Sequence, residues 1–196
     1  MKAAFKDFAS NAANEKNLAN QIGENFGEET QKIFEITNSI YGQDILSSFL
    51  FRNSSAPSSA CAAVAVYNAL ILLGKKVSIS DIFFIIDIDN PFATGGINTI
   101  KALELLSDKY NYKYKTTTHA SEFYKWSEVP GRVLVAAHWN DAETKDSSHA
   151  TCAYVDSEKI INIYNFVNSS LEPKKVNKWT DEISKERFIE GAYVYE

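Results

Sequence analysis

The sequence predicts an α+β fold, in which helices occupy the first part of the chain and an antiparallel sheet follows. Up to about residue 110, apolar side chains recur at helical spacing, and residues 61–73 form an apolar run with one polar side chain, Asn68. From about residue 112, short runs rich in Val, Ile, Tyr and Thr are separated by turn residues, as in strands. Because helices and strands are segregated along the chain, an antiparallel sheet is favoured over a parallel one.

The composition limits the classes of partner. The chain has 196 residues, of which 45% are hydrophobic, so it has enough apolar material for a sizeable core. Its net charge of −5 argues against a nucleic-acid partner. No apolar run approaches the ~18 residues of a membrane helix, and the charged N-terminus lacks the apolar region of a signal peptide. We therefore expect a cytoplasmic protein without a membrane partner.

We divide the chain into an N-terminal helical extension, residues 1–50, and a main domain, residues 51–196. The extension is rich in Asn, Glu, Gln and Ala, and its clearest helix runs from about residue 28 to residue 41. Its regularly spaced apolar positions favour packing on the main domain. An inhibitory pro-segment and a helical arm that binds a protein partner are the alternatives.

The main domain starts with a polar loop, residues 51–60, which leads into the buried helix 61–73 with Gly74 as its C-cap. Ser78 or Ser80 is expected to cap a second helix, and Asn98 to start a third after the turn at residues 95–96. The later elements are a strand at 112–118, a short helix at 122–126, strands at 133–137, 149–155 and 159–166, a helix at 181–189 and a last strand at 192–195.

Cys61 is the candidate nucleophile. Ser58 or Ser59 suits the N-cap position, which would place Cys61 in the first turn of the buried helix. There the positive end of the helix should lower the pKa of the thiol, and backbone N–H groups can form part of an oxyanion hole. The alternative is a small buried side chain without chemistry, which is our interpretation of Cys152 in the middle of a strand.

His149 and Asn165 are the candidates for the base and for the group that orients it. A three-residue turn over residues 156–158 would pair positions whose numbers sum to 314, so that His149 faces Asn165. Directly opposed side chains lie about 4.5–5.5 Å apart at Cβ and point to the same face, so an imidazole–amide hydrogen bond is within reach. Cys152 has the opposite parity from His149 and should project from the other face.

Other assignments stay open. A two-residue turn would shift this register by one and place Tyr164 or Phe166 opposite His149. His138, at the end of an apolar strand, and His119, at a junction between loop and helix, are alternative bases. One cysteine and one distant histidine are too few ligands for zinc, so we expect no metal. The two cysteines have no CxxC spacing, and we expect free thiols.

Three segments together resemble the papain-like cysteine peptidase superfamily, and most closely its C39-like peptidase group: Cys61-Ala-Ala-Val-Ala-Val-Tyr-Asn-Ala-Leu-Ile-Leu-Leu-Gly74, Gly95-Gly-Ile-Asn-Thr-Ile-Lys-Ala-Leu and His149-Ala-Thr-Cys-Ala-Tyr-Val. The resemblance covers roughly residues 53–166. It implies a papain-like fold in residues 51–196, with the nucleophile at the start of a buried helix and an antiparallel sheet after it. It also implies a catalytic triad of Cys61, His149 and Asn165 that needs no cofactor.

The sequence departs from the family pattern near the nucleophile. Ala62 follows Cys61 where the family often has Gly, and Ser55 stands where the family usually has the Gln of the oxyanion hole. Asn53 carries a suitable amide and is our candidate for the oxyanion donor. Gln43 is a weaker candidate, which we expect on a helix surface. The C39-like group usually has Asp as its third residue, so Asn165 is closer to papain.

The function that follows is that of a cysteine peptidase or amidase, which cleaves a peptide or amide substrate through a thioester intermediate. An acyl transferase would use the same site with a different second nucleophile. A catalytically inactive binding protein on the same scaffold is the third hypothesis, and the missing Gln favours it.

Overall fold

The computed structural model of the protein describes residues 39–47, 49–90, 92–167 and 169–196. All of these fall in one unit of the chain, Ile36–Glu196. Our predictions for residues 1–38, including most of the helix expected at 28–41, lie outside the described residues. The division of the chain at residue 50 stays a prediction.

The helical part of the fold comes first, as the sequence predicts. A 3₁₀ turn, Gln43–Leu46, and two short paired strands, β1 (Leu50–Phe51) and β2 (Ser54–Ser55), precede the helices. No helix in the described part of the chain is long and apolar enough to cross a membrane. The helices are α1 (Ala56–Ser59), α2 (Cys61–Leu72), α3 (Ile79–Asp89) and α4 (Thr99–Tyr110).

Local capping signals set the ends of these helices. Gly74 has a left-handed backbone, with φ of 73°, directly after α2. The Ser78 side chain accepts a hydrogen bond from the Asp81 N–H at 3.1 Å, and Asn98 caps α4 in the same way. These three predictions are confirmed. Helix α2 is buried along most of its length, as its apolar sequence indicates.

The expected cap of α2 is wrong. The N-cap position is Ala60, and no side chain caps the helix there. Ser58 and Ser59 instead belong to α1, and both of their hydroxyls donate to the Ser55 carbonyl, at 2.9 Å and 2.7 Å. The polar loop we expected before Cys61 is therefore partly helical, because Ala56–Ser59 forms a turn of its own.

The second part of the chain forms a six-stranded antiparallel sheet. Its strands are β3 (Lys113–Thr117), β4 (Val133–Trp139), β5 (Ser148–Val155), β6 (Ile161–Tyr164), β7 (Lys174–Val176) and β8 (Phe188–Tyr195). They pair in the order β3-β8-β4-β5-β6-β7, and a short helix, α5 (Ala120–Trp126), lies between β3 and β4 in the chain. The mixed architecture of helices and an antiparallel sheet is the one that the sequence predicts.

The C-terminal elements differ from the prediction. The helix expected at residues 181–189 is wrong: a 3₁₀ turn, Trp179–Asp181, ends where that helix should begin. Strand β8 already starts at Phe188 and pairs with both β3 and β4. Pairing on both sides within the sheet outweighs the weak helical pattern of this segment. Strand β7 was not predicted at all.

The predicted register of the β5–β6 hairpin is wrong by two residues. Val155 pairs with Ile161, and Cys152 pairs with Tyr164, so the paired numbers sum to 316 instead of 314. The loop is longer than expected because the Asp156 carboxylate accepts hydrogen bonds from the N–H groups of residues 158 and 160. A shift of two residues preserves side-chain parity.

A segment before β1, which we call the strap (residues 40–43), ties the helices to the sheet. The Asn68 side chain, from the middle of α2, accepts from the Ile40 N–H at 2.6 Å and donates to the Ile40 carbonyl at 2.7 Å. Further along, the Asn165 N–H donates to the Tyr41 carbonyl at 2.8 Å. The one polar side chain of the buried helix therefore holds a backbone segment in place.

We predict that Asn68→Ala lowers the free energy of unfolding by ~2–4 kcal/mol, because two buried backbone groups of Ile40 would lose their partners. Urea unfolding followed by circular dichroism measures this change. Asn177→Ala, at an exposed position, is the matched control and should change it by less than about 0.5 kcal/mol. Equal, small effects of both substitutions would contradict the role given to Asn68.

Candidate active site

A cleft of about 390 Å³ opens at the N-terminal end of α2, and both Cys61 and His149 line it. None of the described residues in its wall carries a carboxylate or an ammonium group. Its lining residues are Gln43, Pro57, Ser58, Cys61, Asn140, Ser147, Ser148, His149, Phe166 and Val167. The structure thus brings the predicted nucleophile and the predicted base to one solvent-accessible space.

Cys61 is the first residue of α2 and is partly buried. Backbone groups of Ala150, Ala62 and Cys61 itself lie against its thiol and favour the thiolate. Burial nevertheless outweighs them and raises the pKa of Cys61 above its ordinary value. The lowered pKa that we predicted from the helix N-terminus is therefore wrong, and His149 is not among the groups that shift this pKa.

His149 is the second residue of β5, and its ring is held by one strong contact. Its Nε2 lies 2.5 Å from the main-chain carbonyl oxygen of Asn165. A carbonyl oxygen only accepts, so Nε2 carries the proton, and in the neutral ring Nδ1 keeps a free lone pair. Burial lowers the pKa of His149 below its ordinary value, and the Asn165 carbonyl opposes this in part. The ring is therefore a neutral base at pH 7.

Asn165 contacts His149 as predicted, but through a different atom. The predicted register would have brought its side-chain amide to the imidazole. In the structure β6 ends at Tyr164, and Asn165 has a left-handed backbone, with φ of 56°. This turn presents the main-chain carbonyl to His149. The Asn165 side-chain Nδ2 donates instead to Gln43 Oε1 at 3.0 Å and to the Ala150 carbonyl at 3.4 Å.

Gln43 is buried at the cleft, which corrects our expectation of a surface position. Its Nε2 donates to the Pro57 carbonyl at 2.5 Å, and its Oε1 accepts from Asn165. Its exposed fraction is 2%. The sequence did offer a weak signal for a place at the site, since the resembled family has a glutamine upstream of its cysteine and Gln43 is upstream of Cys61. Its partner Asn165 is 122 residues away, which no local pattern could reveal.

The structure does not bring Asn53 to the cleft. Asn53 lies in the turn between β1 and β2, with a left-handed backbone at φ of 56°. Its Nδ2 donates to the Ala93 carbonyl at 3.3 Å, so the amide joins this turn to the loop that contains Ala93. Asn53 is not among the described residues that line the cleft, and its assignment as the oxyanion donor stays a prediction.

The other titratable candidates occupy different positions. His138 pairs directly with His149 across β4 and β5, with ring centroids 5.8 Å apart, but it is buried and is not among the described residues that line the cleft. Burial lowers the pKa of His138 to about 4. His119 is exposed at the start of α5. Cys152 is fully buried in mid-strand with the parity opposite to His149, as predicted, and burial raises its pKa.

The described residues outside the cleft include a second cavity but no metal-binding cluster. No group of three or more His, Cys, Asp or Glu side chains within the described ranges is arranged to hold a metal ion. A second cavity, of about 430 Å³, lies against the 3₁₀ turn that starts at Trp179, and its lining contains neither thiol nor imidazole. Of these two cavities, the cleft beside Cys61 is the one whose described lining contains a thiol and an imidazole.

Comparisons with known proteins give little beyond this. No family model and no curated protein matches the chain. Among solved structures, the chain is similar to the peptidase domain of Streptococcus ComA, a bifunctional ABC transporter involved in a quorum-sensing pathway. The TM-score is 0.48 at 9% identity, over 69% of this chain and 90% of that domain. A similarity of this size carries no argument about function.

The buried His138 predicts a specific pH dependence of stability. Between pH 6.5 and about 4 the unfolded chain would protonate this side chain while the folded protein would not. Stability should therefore fall as the pH falls through this window, by about 1.4 kcal/mol per pH unit from this residue. His138→Gln should remove that part of the slope, measured by urea unfolding at pH 6.5, 5.5 and 4.5.

The matched control for this prediction is His119→Gln at an exposed position, which should keep the slope of the unsubstituted protein. A His138→Gln variant whose stability falls as steeply as that of the unsubstituted protein would show that His138 does not resist protonation.

Proposed function

We propose that this chain is a papain-like cysteine hydrolase that cleaves peptide or amide bonds, with Cys61 as the nucleophile and His149 as the general base. The observation that carries this proposal is the cleft that both side chains line, together with the contact that holds the histidine by Nε2. A histidine held in this way has Nδ1 available to accept a proton. The mixed fold, with a cysteine at the start of a buried helix, supports the proposal.

The proposed reaction begins with both groups neutral. His149 Nδ1 takes the proton from the Cys61 thiol as sulfur attacks the carbonyl carbon of the substrate. The resulting tetrahedral intermediate collapses when the protonated His149 gives that proton to the departing amine. Water then attacks the thioester with His149 again as the base, which releases the acid product and restores the thiol.

A neutral resting pair follows from the direction of the two pKa shifts. Burial raises the pKa of Cys61 and lowers that of His149, so both shifts disfavour a thiolate–imidazolium pair. Proton transfer then accompanies attack on the substrate instead of preceding it. This is the general-base route, for which a base with a pKa below neutral remains unprotonated at pH 7.

Backbone groups supply the proposed oxyanion hole. The N–H groups of Cys61 and Ala62 lie at the start of α2, next to the sulfur, where the helix dipole favours negative charge. Donors placed in this way lie close to the oxygen of a carbonyl under attack by Cys61. We assign no side-chain donor to this oxyanion.

A non-catalytic binding protein is the second candidate. The observation in its favour is the raised pKa of Cys61, since a neutral, partly buried thiol is a weak nucleophile without an active base. In that case the uncharged cleft would hold a peptide segment without cleaving it. The two candidates differ in whether His149 accelerates reactions at Cys61.

We predict a burst of p-nitrophenol when the protein is mixed with p-nitrophenyl acetate, because Cys61 would be acetylated faster than the thioester is hydrolysed. The burst should approach about one equivalent per chain. Cys61→Ala should abolish it, and His149→Ala should slow it by about 10²–10⁴-fold. Stopped-flow absorbance at neutral pH measures both amplitude and rate.

The matched control is Cys152→Ala, which removes the fully buried thiol and should leave the burst intact. A burst that persists in Cys61→Ala and disappears in Cys152→Ala would identify Cys152 as the nucleophile and contradict the proposal. No burst in the unsubstituted protein would favour the binding protein.

We further predict a two-limb pH profile for alkylation of Cys61 by iodoacetamide. The rate should rise through the lowered pKa of His149, below pH 6.5, to a plateau at neutral pH where His149 assists the thiol. The rate should rise again above about pH 8.5, the ordinary pKa of a thiol, because burial raises the pKa of Cys61 and the thiolate forms there without help from His149. Mass spectrometry of quenched samples from pH 4 to pH 10.5 measures the rate.

His149→Ala should remove the neutral plateau and retain the alkaline limb. A single alkaline transition in both proteins, without a plateau at neutral pH, would mean that His149 does not act on Cys61.

A further inference from the structure

Gln43 connects the two halves of the candidate site. Its Nε2 donates to the carbonyl of Pro57, in the turn that leads into the nucleophile helix. Its Oε1 accepts from the side chain of Asn165, the residue whose main-chain carbonyl holds the His149 ring. One buried amide therefore bonds both to the short helix directly before Cys61 and to the residue whose carbonyl holds His149.

Few contacts besides the one to Gln43 restrain the position of Asn165. Asn165 lies beyond the end of β6, so the ladder between β5 and β6 does not fix it. Its backbone is held by its N–H bond to the Tyr41 carbonyl, and Tyr41 is itself part of the strap. The side chain adds the bond to Gln43 and a longer one to the Ala150 carbonyl. The strap thus supplies two of the contacts that position the histidine's partner.

We infer that Gln43 is a positioning residue, which sets His149 relative to Cys61 by fixing Asn165 against α1, the short helix directly before Cys61. This inference rests on the proposed function, and it assigns Gln43 a role other than that of an oxyanion donor. The Oε1 and one of the two Nε2 hydrogens of the Gln43 amide already have partners within the protein, and these two bonds fix the orientation of the amide.

The size of the effect follows from geometry. Proton transfer from Cys61 to His149 requires that Nδ1 lie within hydrogen-bond reach of the sulfur as attack begins. A displacement of about 1 Å of a group that aligns reactants can cost on the order of 10²-fold in rate. Loss of one of several contacts to Asn165 should cost less, and we expect a reduction between about 10- and 100-fold.

Alkylation of Cys61 by iodoacetamide separates the two roles that a glutamine could have here. The reaction displaces iodide at a saturated carbon, so no oxyanion develops, and loss of an oxyanion donor leaves its rate unchanged. A residue that positions His149 instead affects the plateau at neutral pH, where the histidine assists the thiol. It does not affect the alkaline limb, where the thiolate reacts without help.

The experiment measures the alkylation profile from pH 4 to pH 10.5 for the unsubstituted protein, Gln43→Ala and Gln43→Met. Methionine keeps most of the volume of glutamine and removes both hydrogen bonds, so it tests the bonds apart from the packing. We expect both variants to lower the neutral plateau by about 10- to 100-fold and to leave the alkaline limb within about twofold. An unchanged plateau in Gln43→Met overturns the inference.

A double-mutant cycle tests whether Gln43 acts through Asn165. Asn165→Gly keeps the left-handed backbone and the main-chain carbonyl but removes the side chain that Gln43 binds. We expect Asn165→Gly alone, and Gln43→Met with Asn165→Gly together, to lower the plateau about as much as Gln43→Met alone. If the fold-reductions of the two single variants multiply in the double variant, Gln43 does not act through Asn165 and the inference fails.

Two controls separate a specific effect of Gln43 from partial unfolding and from failure of the proposed function. Partial unfolding would expose Cys152, which is fully buried in the folded protein. If both thiols of a variant are modified, its lower alkylation rate at neutral pH comes from a structural defect, and this result counts against the inference. His149→Ala tests the proposed function separately: if it leaves the plateau unchanged, the partnership of Cys61 with His149 fails. If it removes the plateau while the Gln43 variants keep it, the role of Gln43 alone fails.

Discussion

The hydrogen bond from the His149 ring to the Asn165 main-chain carbonyl is the contact on which the rest of the site depends. A carbonyl acceptor fixes the tautomer and leaves Nδ1 as the base, whichever side chain the residue carries. The contact exists because β6 ends at Tyr164 and the chain then turns through a left-handed residue. Asparagine tolerates a left-handed backbone better than most residues. Asparagine at position 165 therefore suits the turn by its conformation as well as by its hydrogen bonds.

Burial decides the electrostatics of this site. The helix N-terminus and nearby N–H groups favour a thiolate at Cys61, yet desolvation acts more strongly and in the opposite direction. An ion pair held in such a place would require further hydrogen bonds to offset its desolvation. The cleft offers an uncharged wall instead, so a neutral thiol beside a neutral imidazole is the state that this environment favours.

Local signals predicted much of the helical part from the sequence. Gly74, Ser78 and Asn98 mark helix ends through their own backbone or side chain, and such signals act over four residues or fewer. The parity argument that separated Cys152 from His149 also held, because an error of two residues in the register leaves each side chain on its face.

Features that depend on distant partners were missed. Gln43 looked like a surface residue because its partners, Pro57 and Asn165, lie 14 and 122 residues further along the chain. Asn53 looked like a site residue because it precedes Cys61 closely, yet its turn faces Ala93. The segment at residues 181–189 has a weak helical pattern, and sheet pairing on both sides of β8 overrode it.

Nitrogen-15 NMR of the His149 ring tests the central claim most directly. With ring-labelled histidine, and His149→Gln to assign its signals, the account predicts a neutral ring at pH 7 with the proton on Nε2. It also predicts that Cys61→Ala shifts the Nδ1 signal more than the Nε2 signal. A ring protonated on Nδ1, or an Nδ1 signal that does not respond to Cys61, would contradict the account.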